Sequence, residues 1–73
     1  MSAIVNRLKG MRKSKELTQK DIAIAVGINE RTYRRYEAGD IEPSATTIIK
    51  LANFFDVSAD YLLGRTDNPH INM

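Results

Sequence analysis

The chain has 73 residues, of which 42% are hydrophobic, and it contains neither cysteine nor tryptophan. That length supports one domain with a small core, and the missing cysteines exclude disulfides, thiolate catalysis and most zinc sites. The net charge is only +2, yet residues 1–36 carry nine Lys/Arg against three acids, and residues 37–73 carry two against six. Such asymmetry favours a polyanion against one part of the surface. The longest apolar run, Ile22 to Val26, is far too short to cross a bilayer. No signal peptide is visible in MSAIVNRLKG, so a cytoplasmic protein is expected.

Apolar residues recur at helical spacing and nowhere alternate as in a strand, which predicts an all-α chain. The first helix is expected over about Ala3 to Ser14, with Ile4, Leu8 and Met11 on one face. A second begins after Thr18, whose hydroxyl is suited to cap free amides, with Asp21 three residues on to complete a capping box. Leu17 and Ile22 sit where a hydrophobic staple closes across that cap.

Gly27 marks the next turn, and a third helix follows the cap residue Asn29 and runs to about Glu37, with Ile28 and Tyr33 at the staple positions. Pro43 and Ser44 introduce a fourth helix with Ile48, Leu51, Ala52 and Phe55 as its buried stripe. Ser58 caps a fifth, with Val57 and Leu62 as staple. Agreement between caps, staples and turn signals points to a five-helix bundle over residues 1–64. The tail, residues 65–73, has no periodicity and is expected to be extended or disordered unless it docks on a second subunit.

The second and third helices are separated by only a few residues around Gly27, which is the layout of a helix-turn-helix. Ala23 supplies the small residue where the pair packs closely, and Ile22, Val26, Ile28, Tyr33 and Tyr36 supply the lock. On a helical wheel, Glu30, Arg31, Arg34 and Arg35 fall within one arc of roughly 140°. Thr32, Tyr33 and Tyr36 fall on the other side. A helix lying in a major groove presents its N-terminal residues to base edges, which makes Asn29, Glu30, Arg31 and Arg35 the base-reading candidates. Arg pairs bidentately with guanine, Asn with adenine, and Glu accepts from a cytosine amine. Arg34 reaches either a base or a phosphate and is counted with the backbone set. Gln19, at the start of the second helix, is the main phosphate candidate, with Lys20 beside it.

The run LTQKDIAIAVGINERTYRRYEAGDIEPSATTIIKLANFFDVSADYLLG resembles the Cro and phage-repressor (XRE) family of helix-turn-helix regulators. The resemblance rests on Leu17-Thr18-Gln19, Ala23, Gly27, Tyr36-Glu37, Gly39, Pro43-Ser44, Val57-Ser58 and Tyr61 to Gly64. It implies a lambda-repressor-like domain of five helices that binds double-stranded operator DNA, usually as a symmetric dimer, and represses transcription. It also implies the same four reading positions, the phosphate role of Gln19, and a structural ion pair between Arg12 and Glu37. Two features depart from the family. Tyr33 stands where a smaller β-branched or aliphatic residue is usual, and Asp40 and Glu42 make acidic a loop that is basic in many relatives.

Competing readings are blander. The three arginines of the third helix could be a solvated face, and the two tyrosines could be stacking aromatics, although their arc favours the core. His70 is an isolated tail residue, and Asp56 and Asp60 read as helix-end carboxylates. No catalytic constellation, metal cluster or cofactor motif is present, so an enzyme is not expected. A homodimer is expected because one recognition helix reads few base pairs, with half-sites about 34–36 Å apart and the fifth helix with its flanking tail (Tyr61, Leu62, Leu63) as its surface, although some of those side chains must also fill the core. The alternative from another class is a protein-interaction adaptor, antitoxin-like or anti-repressor, that keeps the same fold.

Overall fold

The computed structural model describes residues 2–70. Five helices follow in chain order: α1 (Ser2–Ser14), α2 (Gln19–Val26), α3 (Glu30–Ala38), α4 (Ala45–Phe55) and α5 (Ala59–Leu62), with no strand among the described residues. Each internal helix begins on a side chain that satisfies its free amides. Thr18 accepts from the Asp21 amide at 3.0 Å while Asp21 returns a bond to the Thr18 amide at 2.9 Å. Asn29 caps α3, Ser44 caps α4 and Ser58 caps α5. Each such cap contributes about 1 kcal/mol, which matters in a domain with so little core.

The helix ends share one device. At all five, a residue with positive φ turns the chain, and the next amide bonds back to a carbonyl five residues earlier: Leu17 to Arg12, Ile28 to Ala23, Asp40 to Arg35, Val57 to Ala52 and Arg65 to Asp60. This is the Schellman closure, in which the left-handed position normally belongs to glycine. Gly27, Gly39 and Gly64 fill it at α2, α3 and α5, but Glu16 and Asp56 hold φ 58° at α1 and α4. The sequence carries no warning of those two.

The core draws on every helix. Ile4 and Leu8 of α1, Ile22, Ala23 and Val26 of α2, Tyr33 and Tyr36 of α3, Leu51, Ala52 and Phe55 of α4, and Leu62 of α5 are buried together. Tyr33 and Tyr36 meet edge to face with ring centroids 6.4 Å apart, an arrangement favoured by the aromatic quadrupole. Both tyrosines therefore belong to the core, and the opposite side of α3 is left to solvent.

The segment after α5 departs from expectation. Residues 65–70 are not extended; they fold back on their own chain. Arg7 of α1 donates to the carbonyls of Tyr61 at 2.9 Å and Thr66 at 2.7 Å, pairs with Asp67 at 2.9 Å, and lies 3.9 Å over the Tyr61 ring. The Ser58 amide donates to the Pro69 carbonyl at 2.9 Å. Thr66 and Asn68 each accept from an amide two residues on, closing the local turns. Hydrophobic periodicity is silent about a strap held by carbonyls and a guanidinium. Residues 71–73 lie outside the described part of the chain.

Gly64 is needed where the strap leaves α5. Its φ is +80°, and a Cβ there would lie 2.4 Å from the Ala3 side chain. Leu62 is fully buried and Tyr61 is half-buried beneath Arg7, so of the three residues expected to form a dimer surface only Leu63, 42% exposed, is open to a partner. The physical reason is economy of core: a four-residue helix must spend its apolar side chains inside the domain.

Candidate nucleic-acid interface

α3 owes its orientation to its two tyrosines. With Tyr33 and Tyr36 buried, Arg31, Arg34 and Arg35 are exposed, Glu30 is half-buried at the helix start, and Asn29 is exposed just before it. Among the described residues, none of these arginines forms an ion pair. A rod with three uncommitted guanidinium groups outward and aromatic rings inward has the shape and charge of a groove-reading element. Lys20 is exposed at the start of α2, and Gln19 beside it is half-buried.

Asn29 is engaged within the domain. Its Oδ1 accepts from the amides of Arg31 at 2.8 Å and Thr32 at 3.4 Å, capping α3. A bidentate pair with adenine requires that same oxygen to accept from the base. While the cap is intact, Asn29 offers a duplex mainly its Nδ2 donors, which suit acceptor groups on guanine, thymine or a phosphate.

Behind the exposed face, one carboxylate gathers donors from three helices. Glu37 of α3 is 2% exposed. Its Oε2 accepts from Arg12 Nε at 2.8 Å and from the Tyr33 hydroxyl at 2.5 Å. Its Oε1 accepts from Arg12 Nη2 at 3.0 Å and from Gln19 Nε2 at 3.1 Å. Arg12 thus engages Glu37 as a fork, the geometry that planar guanidinium and carboxylate groups share, and its Nη1 donates to the Leu17 carbonyl at 3.1 Å. Arg12 is therefore committed inside the domain.

Burial alone would push the Glu37 carboxyl up, but the hydrogen bonds from Arg12, Tyr33 and Gln19 outweigh it and hold the group below its ordinary range. The bond to Glu37 raises the Arg12 guanidinium further. Burial first, and the bond to Glu37 second, push the Tyr33 phenol well above its usual value, so it stays a donor. At α2, the Thr18 amide holds Asp21 below the ordinary carboxylate range.

Two contacts were not anticipated from the residues alone. Tyr33 packs in the core, and its hydroxyl also reaches a carboxylate four residues on, a spacing that places both on one helix face. Gln19, the main phosphate candidate, already has one of its amide hydrogens held by Glu37. Asp40 and Glu42 are exposed in the loop after α3, which leaves that edge acidic. No group of carboxylates and imidazoles that could hold a metal occurs among the described residues, and none of their helices is long and apolar enough to cross a membrane.

Comparison with known proteins places this geometry. The Helix-turn-helix family profile matches residues 8–62, from Leu8 in α1 to Leu62 at the end of α5. The uncharacterized HTH-type transcriptional regulator YqaE of Bacillus subtilis is 44% identical over 64 residues, covering 88% of this chain and 55% of its own length. YobD of the same organism, also an uncharacterized HTH-type transcriptional regulator, is 41% identical over 63 residues, covering 86% and 56%. The cryptic phage CTXphi transcriptional repressor RstR of Vibrio cholerae is 36% identical over 62 residues, covering 85% and 55%. The chain thus spans little more than half the length of these relatives. No solved structure matches it significantly. The chain belongs to the helix-turn-helix family, and relatives such as YqaE and YobD carry the name HTH-type transcriptional regulator.

Proposed function

We propose that this domain binds double-stranded DNA sequence-specifically, laying α3 in the major groove of a palindromic operator and repressing transcription as a cytoplasmic homodimer. The observation that carries the reading is the outward row of Arg31, Arg34 and Arg35 on a helix whose opposite side is anchored by two buried tyrosines. Asn29, Glu30, Arg31 and Arg35 read base edges, Arg31 and Arg35 pairing with guanine and Glu30 accepting from a cytosine amine. Gln19, Lys20 and Arg34 hold the phosphate backbone and set the register of α3. Repression is supported by RstR, a transcriptional repressor by name. The dimer is supported by the short reach of one recognition helix, with two copies spaced about 34–36 Å apart on the duplex.

Selection of bound sites from random duplex DNA tests the whole reading. A symmetric consensus with half-sites one turn apart is expected. Arg35→Ala should then relax preference at one position of each half-site, costing about 1–3 kcal/mol against the wrong base. Gln19→Ala should weaken operator and random duplex alike. Recovery of no enriched sequence would overturn specific recognition and favour the adaptor reading.

A further inference from the structure

We infer that Tyr33, acting through the Glu37 carboxylate, is a positioning residue for Gln19, so that the backbone contact at the start of α2 is aimed from the buried side of α3. The inference rests on the proposed role of Gln19 at phosphate. Its basis is the division of labour on Glu37. Arg12 and the Tyr33 hydroxyl fill Oε2, Arg12 also grips Oε1, and the remaining approach to Oε1 is taken by Gln19 Nε2. A carboxylate so gripped cannot rotate freely. Gln19 consequently meets a fixed acceptor, which orients its amide plane and the direction of its second N–H.

The hydroxyl of Tyr33 is not needed to fill space. The ring is already fully buried in the common core, edge to face with Tyr36, and a phenylalanine would occupy nearly the same volume. What phenylalanine lacks is the donor. Removing it leaves Oε2 held by Arg12 Nε alone at a carboxylate that is almost completely shielded from water, where solvent does not make up the lost bond. With one of its holds gone, the carboxylate fixes Oε1 less tightly for Gln19. α2 and α3 are thereby coupled at the two points where the domain would touch DNA, backbone and base edges.

A double-mutant cycle reads this directly. The wild-type chain, Tyr33→Phe, Gln19→Ala and the double variant are compared for affinity toward the selected operator and a random duplex of equal length, with urea unfolding of each. Tyr33→Phe should weaken both duplexes about three- to tenfold, on the order of one hydrogen bond, without changing the preference between them. In the Gln19→Ala background it should have no further effect on binding, while it still lowers stability to urea. Side-chain amide signals of Gln19 in DNA-free protein should also shift in Tyr33→Phe. A loss of affinity equal in both backgrounds, or no loss at all, overturns the inference while leaving Gln19 at phosphate. Gln19→Ala binding both duplexes like wild type overturns the backbone role of Gln19 and this inference together.

Discussion

The span of α1 from Arg7 to Arg12 has an arginine at each end, and the two are used differently. Arg12 grips a buried carboxylate in a fork and ties α1 to α2 and α3. Arg7, five residues earlier, donates to two main-chain carbonyls, stacks on Tyr61 and pairs with an aspartate that is fully exposed. The contrast shows that a guanidinium matters in proportion to what its loss would strand. At Arg12 the stranded group is a charge shut away from water. At Arg7 the two carbonyls are neutral and part-buried, and Asp67 lies where solvent can replace its bond.

The largest effect should come from breaking the buried end. Glu37→Ala leaves Arg12, Tyr33 and Gln19 without an acceptor and should destabilise the domain by about 3–5 kcal/mol, read from urea unfolding. Acid should act on the same end. In the unfolded chain Glu37 has its ordinary pKa of 4.5 and in the fold a lower one, so the unfolded state binds more protons between the two. The stabilisation is complete above the ordinary value and drains away as pH falls through the folded one. Glu37→Gln should flatten that acid limb, whereas Arg7→Ala should leave its shape unaltered.

Arg7→Ala should cost less, about 1–2 kcal/mol, the range of a few partly solvated hydrogen bonds. Its signature is local: hydrogen exchange at the Ser58 amide, bonded to the Pro69 carbonyl, should accelerate more than exchange in α2 or α3. A cost equal to that of Glu37→Ala would erase the distinction between the two ends. Asp67→Asn should do least. Its partner keeps both carbonyls, exposed pairs contribute little, and the midpoint of unfolding should not move measurably.

The same contrast explains what was legible in the sequence. Thr18, Asn29, Ser44 and Ser58 announce helix starts because capping depends on one side chain and its next three residues. Gly27, Gly39 and Gly64 announce helix ends because glycine tolerates positive φ. Glu16 and Asp56, both exposed, do the same work without a glycine to announce it, and the amides that follow them close the turns on Arg12 and Ala52. The Arg7 strap was invisible because its acceptors are carbonyls, which every residue possesses. The row of Arg31, Arg34 and Arg35 was legible from periodicity alone, but the engaged oxygen of Asn29 and the held amide of Gln19 emerge only when distances are known. Which of those groups meets a base is decided by the edges of a duplex, and no protein sequence contains them.

The buried phenol of Tyr33 also makes the domain self-reporting. With no tryptophan in the chain, near-ultraviolet absorbance comes from phenolic and phenylalanyl rings, and ionisation of a phenol changes it strongly. In the unfolded chain Tyr33 releases its proton near its ordinary value of 10, while in the fold that step is pushed higher by burial and by Glu37. Stability tied to this group is therefore intact below that value and lost as alkalinity rises. The difference in base titration between the wild-type chain and Tyr33→Phe, which keeps Tyr36 and Tyr61, thus gives an optical gauge of whether the joint between α1, α2 and α3 is still closed.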